Sequence, residues 1–96
     1  MSARRVYGVE LVVNGRPITE VIIDPHYESK HPDINDSLIL ALVNGLDGKE
    51  FQPEERVGEW EFFMLDRIAY QGKRYRLVWC MRDKMSLLGV INCFRR

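Results

Sequence analysis

The sequence is short of the residues that usually announce a function. Its two cysteines, Cys80 and Cys93, are too few for a disulfide framework and sit inside strand-like runs, so they are expected to be reduced packing residues. No uninterrupted apolar run exceeds LILALV, residues 38 to 43, far short of the ~20 residues of a membrane-spanning helix. The N-terminal MSARRVYG has basic residues with no apolar signal core behind them. A soluble, cytoplasmic protein with no membrane partner is the expectation. Net charge is also absent, with 14 Lys and Arg against 14 Asp and Glu, which argues against a chain uniformly coated in basic charge. No repeat or low-complexity segment is visible. Histidine occurs twice, at His26 and His31, and both fall within DPHYESKHP, residues 24 to 32.

What is present is unevenly placed. Residues 1 to 66 carry six basic and thirteen acidic side chains, a balance of −7, whereas residues 67 to 96 carry eight and one, a balance of +7. Such asymmetry points to an anionic partner or to association through complementary faces. It is equally the pattern of two halves that each solvate their own surface.

The 96 residues suit a single domain, residues 1 to 96, with one core. RRVYGVELVV and RPITEVIID flank Asn14-Gly15, a hairpin signal because a type I′ turn needs positive φ at both central positions. Strands over about residues 5–13 and 17–24 are expected, with Leu11 opposite Ile18 and Tyr7 opposite Ile22. Pro17, lacking an N–H, belongs at an edge or beside the turn. HPDINDSLILALVNGLDG predicts a helix capped by Asp33 or Asn35, with Ile34, Leu38, Ala41 and Leu42 on one stripe, Ile39, Leu40 and Val43 widening it, and Gly45 as a left-handed C-cap. Residues 47 to 58 read as a loop with a turn of helix around Pro53 to Arg56. EWEFFMLDRIAY, KRYRLVWCMR and MSLLGVINCFRR then form a meander through turns at Gln71-Gly72 and Asp83-Lys84. The fold expected is α+β: an antiparallel sheet of about five strands, ββαβββ, with one main helix packed on one face.

Unbroken alternation from the Gln71-Gly72 turn places Ile68/Tyr75, Met64/Trp79 and Phe62/Met81 under the helix, joined by Leu88, Val90 and Phe94. The second face then carries Leu65/Val78 and Phe63/Cys80, with Leu87, Ile91 and Cys93, at one end. Arg67/Arg76 and Ala69/Arg74 lie at the other, with Arg95 on the same face. Arg67, Arg74, Arg76, Arg82 and Arg95 are the candidate nucleic-acid contacts, since planar guanidinium groups suit phosphate. They are also what a solvent-facing sheet paired with Glu59 or Glu61 would display. Aromatic platforms for single-stranded bases are expected mostly on the helix side. Asp66 falls opposite Leu77 on the apolar face and wants a donor such as Tyr75.

The histidine loop leaves three readings open. Asp24, His26, His31 and Asp33 are suitable ligands for a transition metal, but their spacing matches no established site, so no metal and no cofactor is expected. His26 and His31 could transfer protons with Lys30 assisting. Or the loop simply caps the helix and packs Tyr27 on the sheet.

YRLVWCMRDKMSLLGVINCFRR, residues 75 to 96, resembles the closing hairpin of RelE-like and ParE-like toxins and of the wider group of small ribonucleases sharing that fold. The matching residues are Tyr75 and Arg76 opening a strand, a short acidic turn, the Val90-Ile91 step, and the terminal Arg95 and Arg96. The resemblance implies metal-free RNA cleavage, in which a ribose 2′-hydroxyl attacks the adjacent phosphate. It also implies an antitoxin-like protein partner. Residue chemistry would then assign proton transfer to His26 and His31, with Lys30 assisting and Arg67 and Arg76 on the phosphate. The reading from another class is a non-enzymatic interaction module that forms a homodimer or docks through its oppositely charged halves.

Overall fold

The computed structural model describes residues 4–25 and 30–96. Among these residues the elements follow in the order β1 (Arg5–Val13), β2 (Arg16–Ile23), α1 (Asp36–Asn44), β3 (Glu55–Val57), β4 (Trp60–Tyr70), β5 (Lys73–Arg82) and β6 (Leu87–Arg95). They form one sheet ordered β1-β2-β6-β5-β4-β3. The α+β architecture with one main helix holds. The sheet has six strands rather than five and is mixed rather than antiparallel, because β2 runs parallel to β6. The added strand, β3, replaces the expected turn of helix: Glu55 to Val57 pair with Phe62 to Trp60 across a turn where Gly58 takes φ 61°.

The local turn chemistry behaves as its residues demand. Asn14 and Gly15 have φ of 55° and 71°, and Gln71 and Gly72 have 49° and 78°, the positive values a type I′ turn requires. The Asn14 side chain also accepts from the Phe51 N–H at 2.7 Å and donates to the Phe51 carbonyl at 3.0 Å, tying the first hairpin to the segment after the helix. Pro17 is the second residue of β2, beside that turn and ahead of the residues that pair with β6. Asn35 is the N-cap of α1, its side chain accepting from the Leu38 N–H at 2.8 Å. Gly45 does not adopt the expected left-handed cap: its φ is −68°, and the positive φ falls at Gly48. Ile39, Leu42 and Val43 are the helix's fully buried residues, with Leu38 and Leu40 packed at the edge of the core.

Three β-bulges decide which side chains reach that core. In β1 the register shifts between Gly8 and Leu11, so Leu11 faces Ile18 as expected but Tyr7 faces Val21, not Ile22. In β4 it shifts between Leu65 and Ile68, where Arg67 takes φ 57°. One extra residue inverts the alternation beyond it. Ile68 still faces Tyr75, but Phe63 rather than Met64 faces Trp79, Glu61 rather than Phe62 faces Met81, and Leu65 rather than Asp66 faces Leu77. In β6 the shift leaves Ile91 as the extra residue. Cys93 is thereby turned into the core, and Phe94, expected there, is turned out opposite Arg76. Trp79 anchors the core, stacked on Phe63 at 5.2 Å and meeting the edge of Phe51 at 5.2 Å. The helix covers this face alone.

Candidate nucleic-acid interface

The second face of the sheet has two parts along β5. At the β5 start, antiparallel register brings the end of β4, the start of β5 and the end of β6 to one corner. Arg67, Arg74, Arg76 and Arg96 fall there, around Asp66. The β4 bulge presents the Asp66 carboxylate to Arg76 Nη2 at 2.9 Å and to Arg96 Nε at 3.0 Å, and it also accepts from the Arg67 N–H at 2.9 Å. The Arg76 hydrogen bond, reinforced by the Arg67 N–H and the charge of Arg96, holds the Asp66 carboxyl at a pKa of about 2, from an ordinary 3.8. Asp66 is thus an anion at any working pH, and its partners are arginines rather than Tyr75. Arg76 Nε is buried without a hydrogen-bond partner among the described residues.

His31 meets this corner. Strand β2 pairs with β6 only as far as Ile23 opposite Val90, while β6 continues to Arg95. Beyond that pairing, His31 stacks on Phe94 with ring centroids 5.4 Å apart and planes 22° apart. The Arg76 guanidinium lies over the same Phe94 ring, 5.5 Å from its centre. The His31 carbonyl accepts from the Ile34 N–H at 3.0 Å, which anchors the loop just before the helix cap. An imidazole and a guanidinium thus share one aromatic ring at the mouth of a basic corner.

The other candidates divide. Lys30, immediately before His31, is exposed, as are Arg67 and Arg74. Arg95 lies opposite Tyr75, which puts it on the helix side of the sheet and not on the second face, because the β6 bulge inverts that end of the strand. Arg82 lies at the far end of β5, bound to Glu59 at 2.8 Å and lying 5.7 Å from the Trp60 ring centre, so it does not join the corner. His26 lies outside the described residues. Among the described residues no three His, Cys, Asp or Glu side chains converge as a metal site.

Beyond the corner, the second face is apolar. A groove of about 380 Å³ runs over Ile22, Trp60, Phe62, Cys80, Leu87, Gly89 and Ile91, with Arg4 and Asp24 at one end. Its floor depends on Gly89, where a Cβ would come within 3.1 Å of the Cys80 Sγ. Burial pushes the Cys80 thiol pKa up, and burial together with the charge of Asp33 pushes Cys93 up to about 12, so both are weaker nucleophiles than an ordinary thiol.

Sequence reasoning missed Phe94, Asp66 and Arg96 as parts of the corner, and Trp60 and Phe62 as parts of the second face. It also missed a charged cluster elsewhere: Glu61, 7% exposed, is paired with Arg16 and, at 3.3 Å, with Arg56, which binds Asp83 at 3.2 Å. That cluster ties β2, β3 and β4 to the β5–β6 turn, with Arg16 Nη1 buried and without a hydrogen-bond partner among the described residues. Comparison with family models, curated proteins and solved structures gives no match. No helix among the described residues is long and apolar enough to cross a membrane.

Proposed function

We propose that this protein is a RelE-like, toxin-type endoribonuclease that cleaves RNA without a metal at the His31–Phe94–Arg76 corner and is held by an antitoxin-like protein partner. The observation that carries the reading is that His31 and Arg76 flank one ring, so one histidine adjoins the arginine face. In the reaction, His31 takes the proton of a ribose 2′-hydroxyl as its oxygen bonds to the adjacent phosphorus. Arg76, with the exposed Arg74 and Arg67 nearby, balances the charge gained by the phosphoryl oxygens. The phosphorus–5′-oxygen bond breaks and the departing oxygen takes a proton from Lys30 or from His26. The products are a 2′,3′-cyclic phosphate and a 5′-hydroxyl.

Asp66 orients Arg76 at the sheet surface through the charge-assisted hydrogen bond to its Nη2. The interaction-module reading has less support, because part of the opposite charge of the two halves is already paired within the chain. Glu59 binds Arg82, Asp66 binds Arg76 and Arg96, and Arg56 binds Asp83.

The test is incubation of an end-labelled single-stranded RNA with the purified chain in excess chelator, followed by analysis of the new ends. Fragments ending in a cyclic phosphate are expected. Intact RNA, or fragments formed only with added divalent metal, contradicts the proposal.

A further inference from the structure

We infer that the apolar groove of the second sheet face seats an unpaired base of a single-stranded RNA whose backbone crosses the basic corner. The inference rests on the ribonuclease reading for the identity of the strand. Its physical basis is the β4 bulge, which turns Phe62 out of the core and beside Trp60 on the open face, so that an aromatic wall borders a glycine floor. Sequence-tolerant base binding uses such ring faces, and only a single strand can present an unstacked base to them. The groove volume falls within the range of small-ligand sites, ~300–1,000 Å³.

Charge complementarity selects the occupant. Along β5, Arg76, Val78 and Cys80 share the second face, so the groove at Cys80 lies roughly 14 Å from Arg76, four residues of strand away. That distance requires a short strand rather than a mononucleotide. A polyanion spanning it would place phosphate on Arg74 and Arg76 and a base between Phe62, Leu87 and Ile91. An apolar protein segment would leave Arg74 without a counter-charge.

The experiment uses a fluorescein-labelled 2′-O-methyl heptamer, which cannot be cleaved, with the full chain. Anisotropy gives Kd for wild type, Phe62→Ala and Phe62→Leu. The second variant keeps apolar volume but removes the ring. In parallel, the rate at which a methanethiosulfonate reagent modifies Cys80 is followed with and without the heptamer. Binding by wild type, weakened at least about fivefold in both variants, is expected from the loss of one stacked base. Cys80 modification slowed about tenfold at ten times Kd is also expected. Duplex heptamer should leave the Cys80 rate unchanged.

Binding that is indifferent to Phe62 and leaves Cys80 open overturns the groove while leaving the ribonuclease reading standing. Groove-dependent binding with no cleavage of ordinary RNA upholds the groove and removes the ribonuclease reading. No binding at low salt overturns the inference. So does Cys80 protection that rises with protein concentration alone, which would put a second copy of the chain in the groove.

Discussion

At the scale of single residues, Asp66 shows how a bulge converts an expected buried carboxylate into the hub of a surface site. Its pKa falls from 3.8 to about 2 on folding, chiefly through the Arg76 hydrogen bond. A lowered folded-state value means the charged form stabilises the fold. That stabilisation is complete above pH ~4 and is lost as pH falls through about 2. Asp66→Asn should therefore be less stable than wild type at pH 6, and the gap should close between pH 4 and pH 2, as urea midpoints across that range would record. A gap that persists unchanged at pH 2 would mean Asp66 acts through packing instead. Asn35 gives a second residue-scale test: Asn35→Ala removes the helix cap and should cost about 1 kcal/mol by the same measurement.

At the scale of elements, the bulges explain which parts of the fold are legible in the chain. The Asn14-Gly15 and Gln71-Gly72 hairpins can be read because their φ requirement is met by two adjacent residues. The helix can be read because its cap and apolar stripe are local. The β4 bulge cannot, because Phe62, Phe63, Met64 and Leu65 are all apolar and either register buries two of them. Strand β3 escapes for a related reason, since Glu55, Arg56 and Val57 are all exposed and show no alternation. The β4 register makes a sharp prediction. Phe63, 1% exposed and stacked on Trp79, should cost about 3–5 kcal/mol when changed to alanine, as large core truncations do. Phe62→Ala, on the open face, should cost under about 1.5 kcal/mol. Denaturant unfolding of the two variants checks this, and the reverse order would restore the unbroken alternation.

At the scale of the whole molecule, the site arises from a pairing that sequence proximity gives no hint of. Strands β2 and β6 lie parallel although more than sixty residues separate them, and β6 outruns β2, which brings His31 to Phe94. The histidine loop and the arginine face were both visible as compositions, but their contact depends on that parallel pair and on the β6 bulge that turns Phe94 outward. Phe94 itself reads as a core residue until the bulge is known. The same packing seals Cys93, fully buried with a pKa pushed up to about 12, so its alkylation should report global unfolding. Iodoacetamide should modify Cys93 only as fast as the chain unfolds, and rapid labelling under native conditions would show that the end of β6 opens locally.

The central claim is that the corner joining His31, Phe94 and Arg76 performs the chemistry. Its most direct test is the single-turnover rate of RNA cleavage in chelator for wild type, His31→Ala and Arg76→Ala, each checked for native circular dichroism. The account predicts a wild-type rate that falls ~10²–10⁴-fold in His31→Ala, as loss of a proton-transfer group does. A fall of ~10²–10³-fold is predicted in Arg76→Ala, as loss of a group stabilising the developing charge does. Folded variants that cleave at the wild-type rate would contradict it.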